Sequence, residues 1–338
     1  LDDWVESGET SETLGQRLRV SAHDLEKARA RLDHTDPLAK VEMQAALDSG
    51  ADILTLLDED YPNALRQLEL PPPVLYCRGR LPNRPSVAIV GSRQATAIGL
   101  EAAEMFGREL ASCGLAVVSG FARGIDLAAH RGALRAANGK TVAVLGCGLD
   151  FDYPRRRRRM RQTISQRGAL ISEFPLGARP APVNFPIRNR IIAALSIGTL
   201  VVQGTPRSGS LITARLALDL GRDVYALPGS IFDRRAAGPN SLIRDGALLV
   251  QSPDEILESL PVGVRDTLAG QAALDTPPIP PGPAGALLQS LDPGQVETAD
   301  ALAKASGIPL EHIHALLLEL EMAGHLRKLP GATYCRRA

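Results

Sequence analysis

"VAIVGSRQATAIG" (residues 87–99) decides the fold. Val87–Val90 is an uninterrupted apolar run, as expected of a strand covered on both faces, and Gly91, Ser92 and Arg93 then lead into a helix-forming stretch. Strand, glycine-containing turn and helix start together make a backbone suited to an anion, because glycine lets amides approach closely and a helix N-terminus attracts negative charge. The dinucleotide fingerprint G-x-G-x-x-G is absent, and an arginine stands at the helix entrance in its place.

The same pattern recurs outward from this stretch. Apolar strands are readable at Leu115–Val118, Thr141–Leu145, Ala169–Ser172, Thr199–Val202 and Val224–Leu227. Helical stretches such as "GLEAAEMFGRELASCG" (99–114) and "SLITARLALDLG" (210–221) lie between them. Alternation of this kind requires right-handed crossovers and predicts an α/β fold: an extended Rossmann-like, doubly wound, mainly parallel sheet over 71–260. Ligands of such sheets bind at the carboxyl ends of the strands.

The flanks differ in character. Residues 1–70 read as a small helical domain, with a Ser N-cap opening "SAHDLEKARARLD" (21–33) and a capping glycine closing "DPLAKVEMQAALDSG" (36–50). "PPPVLYCRGRLPNRP" (71–85) supplies a proline break, a short strand and a linker. Residues 261–284 read as a Pro/Gly-rich tether, and 285–338 as three helices closed by a hairpin, "RKLPGATYCR" (327–336), the pattern of a winged helix. Its candidate recognition helix, "PLEHIHALLLELEMAG" (309–324), offers Glu311, Glu319 and Glu321 but no Lys or Arg. A protein-contact role fits it better than duplex reading, while Arg327 and Lys328 on the wing are placed to touch a phosphate.

The net charge of zero over 338 residues conceals a strong asymmetry. Residues 1–83 carry 9 Lys/Arg against 16 Asp/Glu (−7), residues 84–258 carry 23 against 14 (+9), and residues 259–338 carry 6 against 8 (−2). A positive central segment is what a polyanion-binding domain needs. The longest apolar stretch, Ile191–Val202, is too short to span a bilayer, and no signal-peptide pattern is present, so a cytoplasmic protein without membrane attachment is expected. Cys77, Cys113, Cys147 and Cys335 are scattered without metal-ligand spacing, so reduced thiols and no metal site are expected. The chain opens at Leu1 rather than Met, and missing or processed N-terminal residues are expected.

The segments after the strands are "GSR", "SGFARG", "GCG", "SEFPLG", "QGTPRSGS" and "PGS", and parallel strands place them on one rim. Arg93, Arg190 and Arg207 fall just before or within the first turn of expected helices, where a cation opposes the helix dipole by about 0.3–1 kcal/mol each. A bound phosphate would reverse that sign. In "VNFPIRNRIIAALS" (183–196), Phe185 precedes Arg188, Asn189 and Arg190. Base stacking on the ring and phosphates on the guanidinium groups is one reading of Phe185; a hydrophobic staple against the following helix is the other. Arg155, Arg156, Arg157, Arg158 and Arg159, with Arg161, form a basic run, either a solvated mobile loop or a basic arm beside the phosphate rim that adds salt-dependent, sequence-independent affinity for a polyanion.

Enzyme signatures are missing. "NGKT" (138–141) precedes a strand instead of following one, and there is no G-x-S-x-G elbow, paired carboxylate or metal cluster. His130, one helical turn beyond Asp126, reads as half of a hydrogen-bonded structural pair. No catalytic residue is assigned.

Taken together, "DYPNALRQLELPPPVLYCRG" (60–79), "VAIVGSR" (87–93), "VVSGFARGIDLAAHRGAL" (117–134), "GCGLDFDYP" (146–154), "ISEFPLG" (171–177), "NFPIRNRIIAALS" (184–196), "SGSLITARLAL" (208–218) and "YALPGS" (225–230) resemble the DNA-processing protein A (DprA, or Smf) family. The resemblance implies a protein that binds and protects single-stranded DNA without a cofactor, homodimerises and loads the RecA recombinase during natural transformation. It implies a DNA pocket of Gly91, Ser92, Arg93, Gly120, Gly124, Phe185, Arg188, Asn189, Arg190, Ser208, Gly209 and Ser210. It also implies a SAM-like N-terminal domain and a C-terminal winged helix. Gln203 stands where the family commonly has Glu, and Ala193–Ala194 where Ser-Gly is more usual. The competing class is a nucleotide-processing hydrolase related to the phosphoribohydrolases of the "lonely guy" kind, whose P-G-G-x-G-T-x-x-E signature this chain lacks.

Overall fold

A computed structural model describes residue 21 and residues 38–336, apart from 276–279, 293–294, 324, 330 and 332. Most of the expected N-terminal domain, including the 21–33 helix, lies outside the described residues. Within them a helix spans 38–48 and stops near Gly50, whose φ of +68° provides the left-handed residue that commonly ends a helix.

Among the described residues, nine strands form one sheet in the order β1-β2-β6-β5-β4-β3-β7-β8-β9. They are β1 (Asp52–Thr55), β2 (Val74–Gly79), β3 (Ser86–Val90), β4 (Ala116–Ser119), β5 (Lys140–Val144), β6 (Ala169–Ser172), β7 (Gly198–Val201), β8 (Asp223–Ala226) and β9 (Leu248–Leu249). Strands β3 to β9 pair in parallel. Strands β1 and β2 extend the sheet antiparallel beyond β6. The expected strands are β3 to β8, displaced by no more than one residue at an end.

The apolar runs are continuous because both faces of the sheet are covered. Along β3, Val87 and Ile89 join one core with Phe106, Leu110, Ile125 and Ala129. Ala88 and Val90 join the opposite core with Ile191, Ile192, Leu211 and Ala214. The helices Ala97–Ser112 and Ile125–Arg135 therefore lie on one face, and Asn184–Leu195 and Gly209–Asp219 on the other. From β3 the chain winds outward through β4, β5 and β6, then returns beside β3 with β7. The carboxyl ends of β3 and β7 thus form a topological switch point, the usual seat of a ligand in an open α/β sheet.

The segment expected as a tether contains a helix, Val262–Asp275, and Leu268 is buried in the core that holds Phe106. After Pro261 its prolines resume only at Pro277, and the 14 residues of the helix include the helix formers Ala, Leu, Arg and Gln. Farther on, the helices Pro283–Gln289, Ala299–Ser306 and Leu310–Met322 enclose a separate core of Leu287, Leu302, Ile313, Leu317 and Tyr334. A three-stranded sheet, β10 (Val296–Thr298), β12 (Thr333–Arg336) and β11 (Leu326–Leu329) in that order, completes a winged helix. Arg327 and Lys328 lie within β11, and the Lys328 ammonium stands 5.9 Å from the Tyr334 ring centroid.

Candidate nucleic-acid interface

The loop after β3 is stitched to its neighbours at the switch point. Ser92 N donates to the Gln203 carbonyl (2.6 Å), and Ile125 N donates to the Ser92 carbonyl (3.2 Å). Gln203 Oε1 accepts from Thr96 N (3.0 Å), and its Nε2 donates to Thr96 Oγ1 (2.9 Å), the oxygen that caps the Ala97–Ser112 helix through Gly99 N. The amide of Gln203 thus both accepts from and donates to one capping residue, which a carboxylate could not do. Two glycines permit this nesting. Gly124 has φ +83°, and a Cβ there would collide with the Ser92 carbonyl oxygen. A Cβ on Gly120 would stand 2.6 Å from the Arg188 guanidinium. These positions bring the loops into contact, a role the sequence reading had assigned only to anion approach.

Phe185 sits among the loops. Its ring covers Gly146, after β5, so closely that a Cβ there would lie 2.9 Å from Cδ1. The Arg93 guanidinium stands 4.7 Å from its centroid, that of Arg188 6.0 Å, and the Tyr153 ring 5.6 Å at an interplanar angle of 37°. Phe185 is the second residue of its helix, which begins at Asn184. Apart from Arg188 on the same helix, its ring partners belong to other loops, so the staple geometry is not met. The sequence reading missed Tyr153, although an aromatic directly before the basic run was the available signal.

The expected cations divide into two groups. Arg188 is 3% exposed, and its Nη1 donates to the carbonyls of Gly120 (2.6 Å) and Val144, tying the ends of β4 and β5 together. Burial lowers its pKa to about 10, opposed by nearby Asp126. Burial in turn raises the Asp126 carboxyl to about 6, against the pull of Arg188 and of Ala122 N, which donates to it at 3.2 Å. Asn189 is buried, its Nδ2 donating to the Gly209 carbonyl (3.2 Å). Arg190 is the seventh residue of its helix and so lies in the second turn, not the first. It forms a bidentate pair with Glu173 (2.6 and 2.7 Å) and donates through Nε to the Leu70 carbonyl (3.2 Å). Its charge is therefore already answered, and the carboxylate comes from the "SEFPLG" loop of the same rim.

Arg93 and Arg207 are both exposed and precede helix starts, and neither forms a carboxylate ion pair among the described residues, although Arg93 is near enough to buried Asp126 to attract its carboxylate. Ser208 caps the Gly209–Asp219 helix, and its hydroxyl lies 2.9 Å from that of Ser210. Arg155 to Arg159 are all exposed: Arg155 and Arg156 form a turn, and Arg158 and Arg159 open the helix Arg158–Arg167. Arg161 is buried beneath them, donating to the Leu149 carbonyl.

His130 does not pair with Asp126. Its Nδ1 lies 2.7 Å from Thr141 Oγ1, which itself donates to the Val117 carbonyl at 2.6 Å. Nδ1 must then carry the proton. Burial, reinforced by Arg188, pushes the ring down to about 3, which keeps it neutral. No cluster among the described residues has the composition of a metal site.

An extended parallel sheet with a ring and exposed cations at its switch point, followed by a winged helix, defines a class of Rossmann-like nucleic-acid-handling proteins. The chain belongs to the DNA recombination-mediator protein A family, whose model matches residues 52–261, and the model of the DprA winged helix domain matches residues 271–332. Protein Smf of Escherichia coli is 42% identical over 284 residues, which cover 81% of this chain and 74% of that one. The solved DNA processing protein A of Streptococcus pneumoniae is 40% identical with a TM-score of 0.60, covering 64% of this chain and 78% of that one. That of Helicobacter pylori, described for its single-stranded DNA binding mode, is 30% identical with a TM-score of 0.55, covering 65% of this chain and 96% of that one. The chain is accordingly a DNA-processing recombination mediator.

Proposed function

We propose that this rim grips single-stranded DNA, with a base against Phe185 and phosphates on Arg93 and Arg207. We further propose that the protein works as a cytoplasmic homodimer that protects the strand and loads RecA onto it during natural transformation. One observation carries the reading. Arg93 is exposed, makes no carboxylate ion pair among the described residues beyond a longer-range attraction to buried Asp126, and stands 4.7 Å from the centroid of the partly buried Phe185 ring. Cation and ring side by side are what successive phosphates and bases require. Arg155 to Arg159, joined to the ring through Tyr153, would add counterion release along the strand.

Other features support the remaining parts. The ionisable groups beneath the rim, Asp126 and His130, are buried and committed internally, so the reading assigns them stability and not catalysis. Leu248 and Leu249 are about half exposed on the edge strand β9, an open edge suited to a second copy. The winged helix exposes Leu318 and Met322 beside Glu311 and Glu319 on Leu310–Met322, a surface for a protein partner rather than for duplex DNA. Among the described residues no helix is long and apolar enough to cross a membrane.

Oligo-dT titration at a series of salt concentrations tests the reading. Log affinity should fall linearly with log salt at about −0.7 per phosphate contacted. Preincubation with the protein should also shorten the lag of RecA filament formation on dT. Absence of dT binding at low salt overturns the proposal.

A further inference from the structure

The loop after β8 carries two of the most exposed apolar side chains among the described residues: Ile231 is 86% exposed and Phe232 90%. The loop is nevertheless firmly held. Ser230 Oγ accepts from Phe232 N (3.3 Å), the Ser230 carbonyl accepts from Asp233 N (3.0 Å), and Asn240 and Gly229 exchange reciprocal bonds of 3.1 and 2.9 Å. The same loop is bonded to the rim. Arg235 Nε donates to the Gln94 carbonyl (2.6 Å), Gly204 N donates to the Arg235 carbonyl (2.7 Å), and Gln203 Nε2 lies 3.4 Å from Asp233 Oδ2. Gln94 adjoins Arg93, and Gly204 begins the loop that carries Arg207.

We propose that Phe232 is a second base-stacking platform, which carries the single-stranded DNA path from the Arg93–Phe185 pair across the switch point to the end of β8; this rests on the function proposed above. The surroundings are cationic: Arg93, Arg207 and Arg234 are exposed and form no carboxylate ion pair among the described residues, Arg93 attracting only buried Asp126 at longer range, whereas Asp233 is half-buried and faces Gln203 and Arg235. An exposed ring on a stiff loop amid unpaired guanidinium groups suits a polyanion with flat bases. Phe185 covers the end of β5 and Phe232 follows β8, so about four strand spacings separate them, on the order of 19 Å, with Arg93 between. That distance exceeds one nucleotide, so the two rings would hold different bases of one strand.

Binding of dT of roughly 20 nucleotides, read by anisotropy of a labelled end, and tryptophan emission test the proposal. The chain has one tryptophan, Trp4, so wild type supplies the emission baseline. Phe232→Ala should weaken binding about ten-fold without changing the melting temperature, since the ring packs on little of the protein. Phe232→Trp should keep the affinity and gain emission that dT quenches. Unaltered affinity in Phe232→Ala, or unquenched emission in Phe232→Trp, overturns the second platform while binding by wild type and its loss in Arg93→Ala leave the primary reading intact. A Phe232→Ala protein whose sedimentation changes while its dT affinity does not would make the patch a protein contact, which also overturns the proposal. If wild type fails to bind dT, both readings fall together.

Discussion

Replacing Arg93 by alanine separates ligand binding from architecture. Its guanidinium is exposed, stands 4.7 Å from the Phe185 ring centroid and attracts the Asp126 carboxylate from farther off without pairing with it. An exposed cation–π contact contributes about 0.5–1 kcal/mol, so the folded protein should lose no more than that in urea denaturation. A charge-assisted hydrogen bond to phosphate is worth about 1.5–3 kcal/mol, which predicts a loss of dT affinity of roughly ten-fold to more than a hundred-fold at 25 °C. One fewer neutralised phosphate should also reduce the magnitude of the salt slope by about 0.7. Arg93→Lys should restore the slope but only part of the affinity, because an ammonium keeps the charge and loses the planar face that stacks on Phe185. Titrations of the three proteins from low to moderate salt check this. Unchanged affinity in Arg93→Ala would refute the pocket. Weakened binding with an unchanged slope would show that Arg93 positions Phe185 instead of contacting phosphate.

Glu173→Gln should tighten dT binding several-fold, since it removes an anion from the rim and leaves an amide oxygen to accept from Arg190. Arg190→Ala should instead cost about 2 kcal/mol in urea denaturation, because the Glu173 side chain, 13% exposed, would keep its charge without a partner. Gly124→Ala should destabilise by about 1–3 kcal/mol and weaken dT binding with it, as φ is +83° and the added methyl meets the Ser92 carbonyl; normal stability by calorimetry would refute that account. The pH profile follows from two buried groups of opposite sign. His130, near 3 when folded and near 6.5 when unfolded, loses stability as pH falls through that window, whereas Asp126, raised from 3.8 to about 6, gains stability as pH falls from 6 to 3.8. The two slopes, each about 1.4 kcal/mol per pH unit, cancel between 3.8 and 6. Asp126→Asn should therefore unmask an acid sensitivity of that slope in urea midpoints, and a profile parallel to wild type would refute it.

The strands were legible because each is a short apolar run buried on both faces, a property of the run itself. β1 and β9 were not, since an edge strand of 4 or 2 residues with partly exposed side chains carries no such pattern. The 262–275 helix disappeared into a compositional average, its proline-free residues read together with the proline cluster that follows. At the rim, the glycines, Phe185 and the arginines could all be found from the residues following each strand. What could not be found there was which charges were already satisfied. Glu173 reaches Arg190 across 17 residues, and Arg188 reaches the Gly120 carbonyl across 68, so both depend on how the loops converge. The helix also starts two residues before the expected Pro186, at Asn184, where Val183 offers no side-chain cap to mark it, and Arg190 lies in the second turn, not the first. Local rules thus locate cations that oppose a helix dipole, but tertiary contacts decide which remain available to a ligand. Arg188 and Arg190 are committed to the protein, and Arg93 and Arg207 are not. If the proposed anion site is built on this uncommitted pair, it would be narrower than the sequence alone implies and would lie near the seam between β3 and β7.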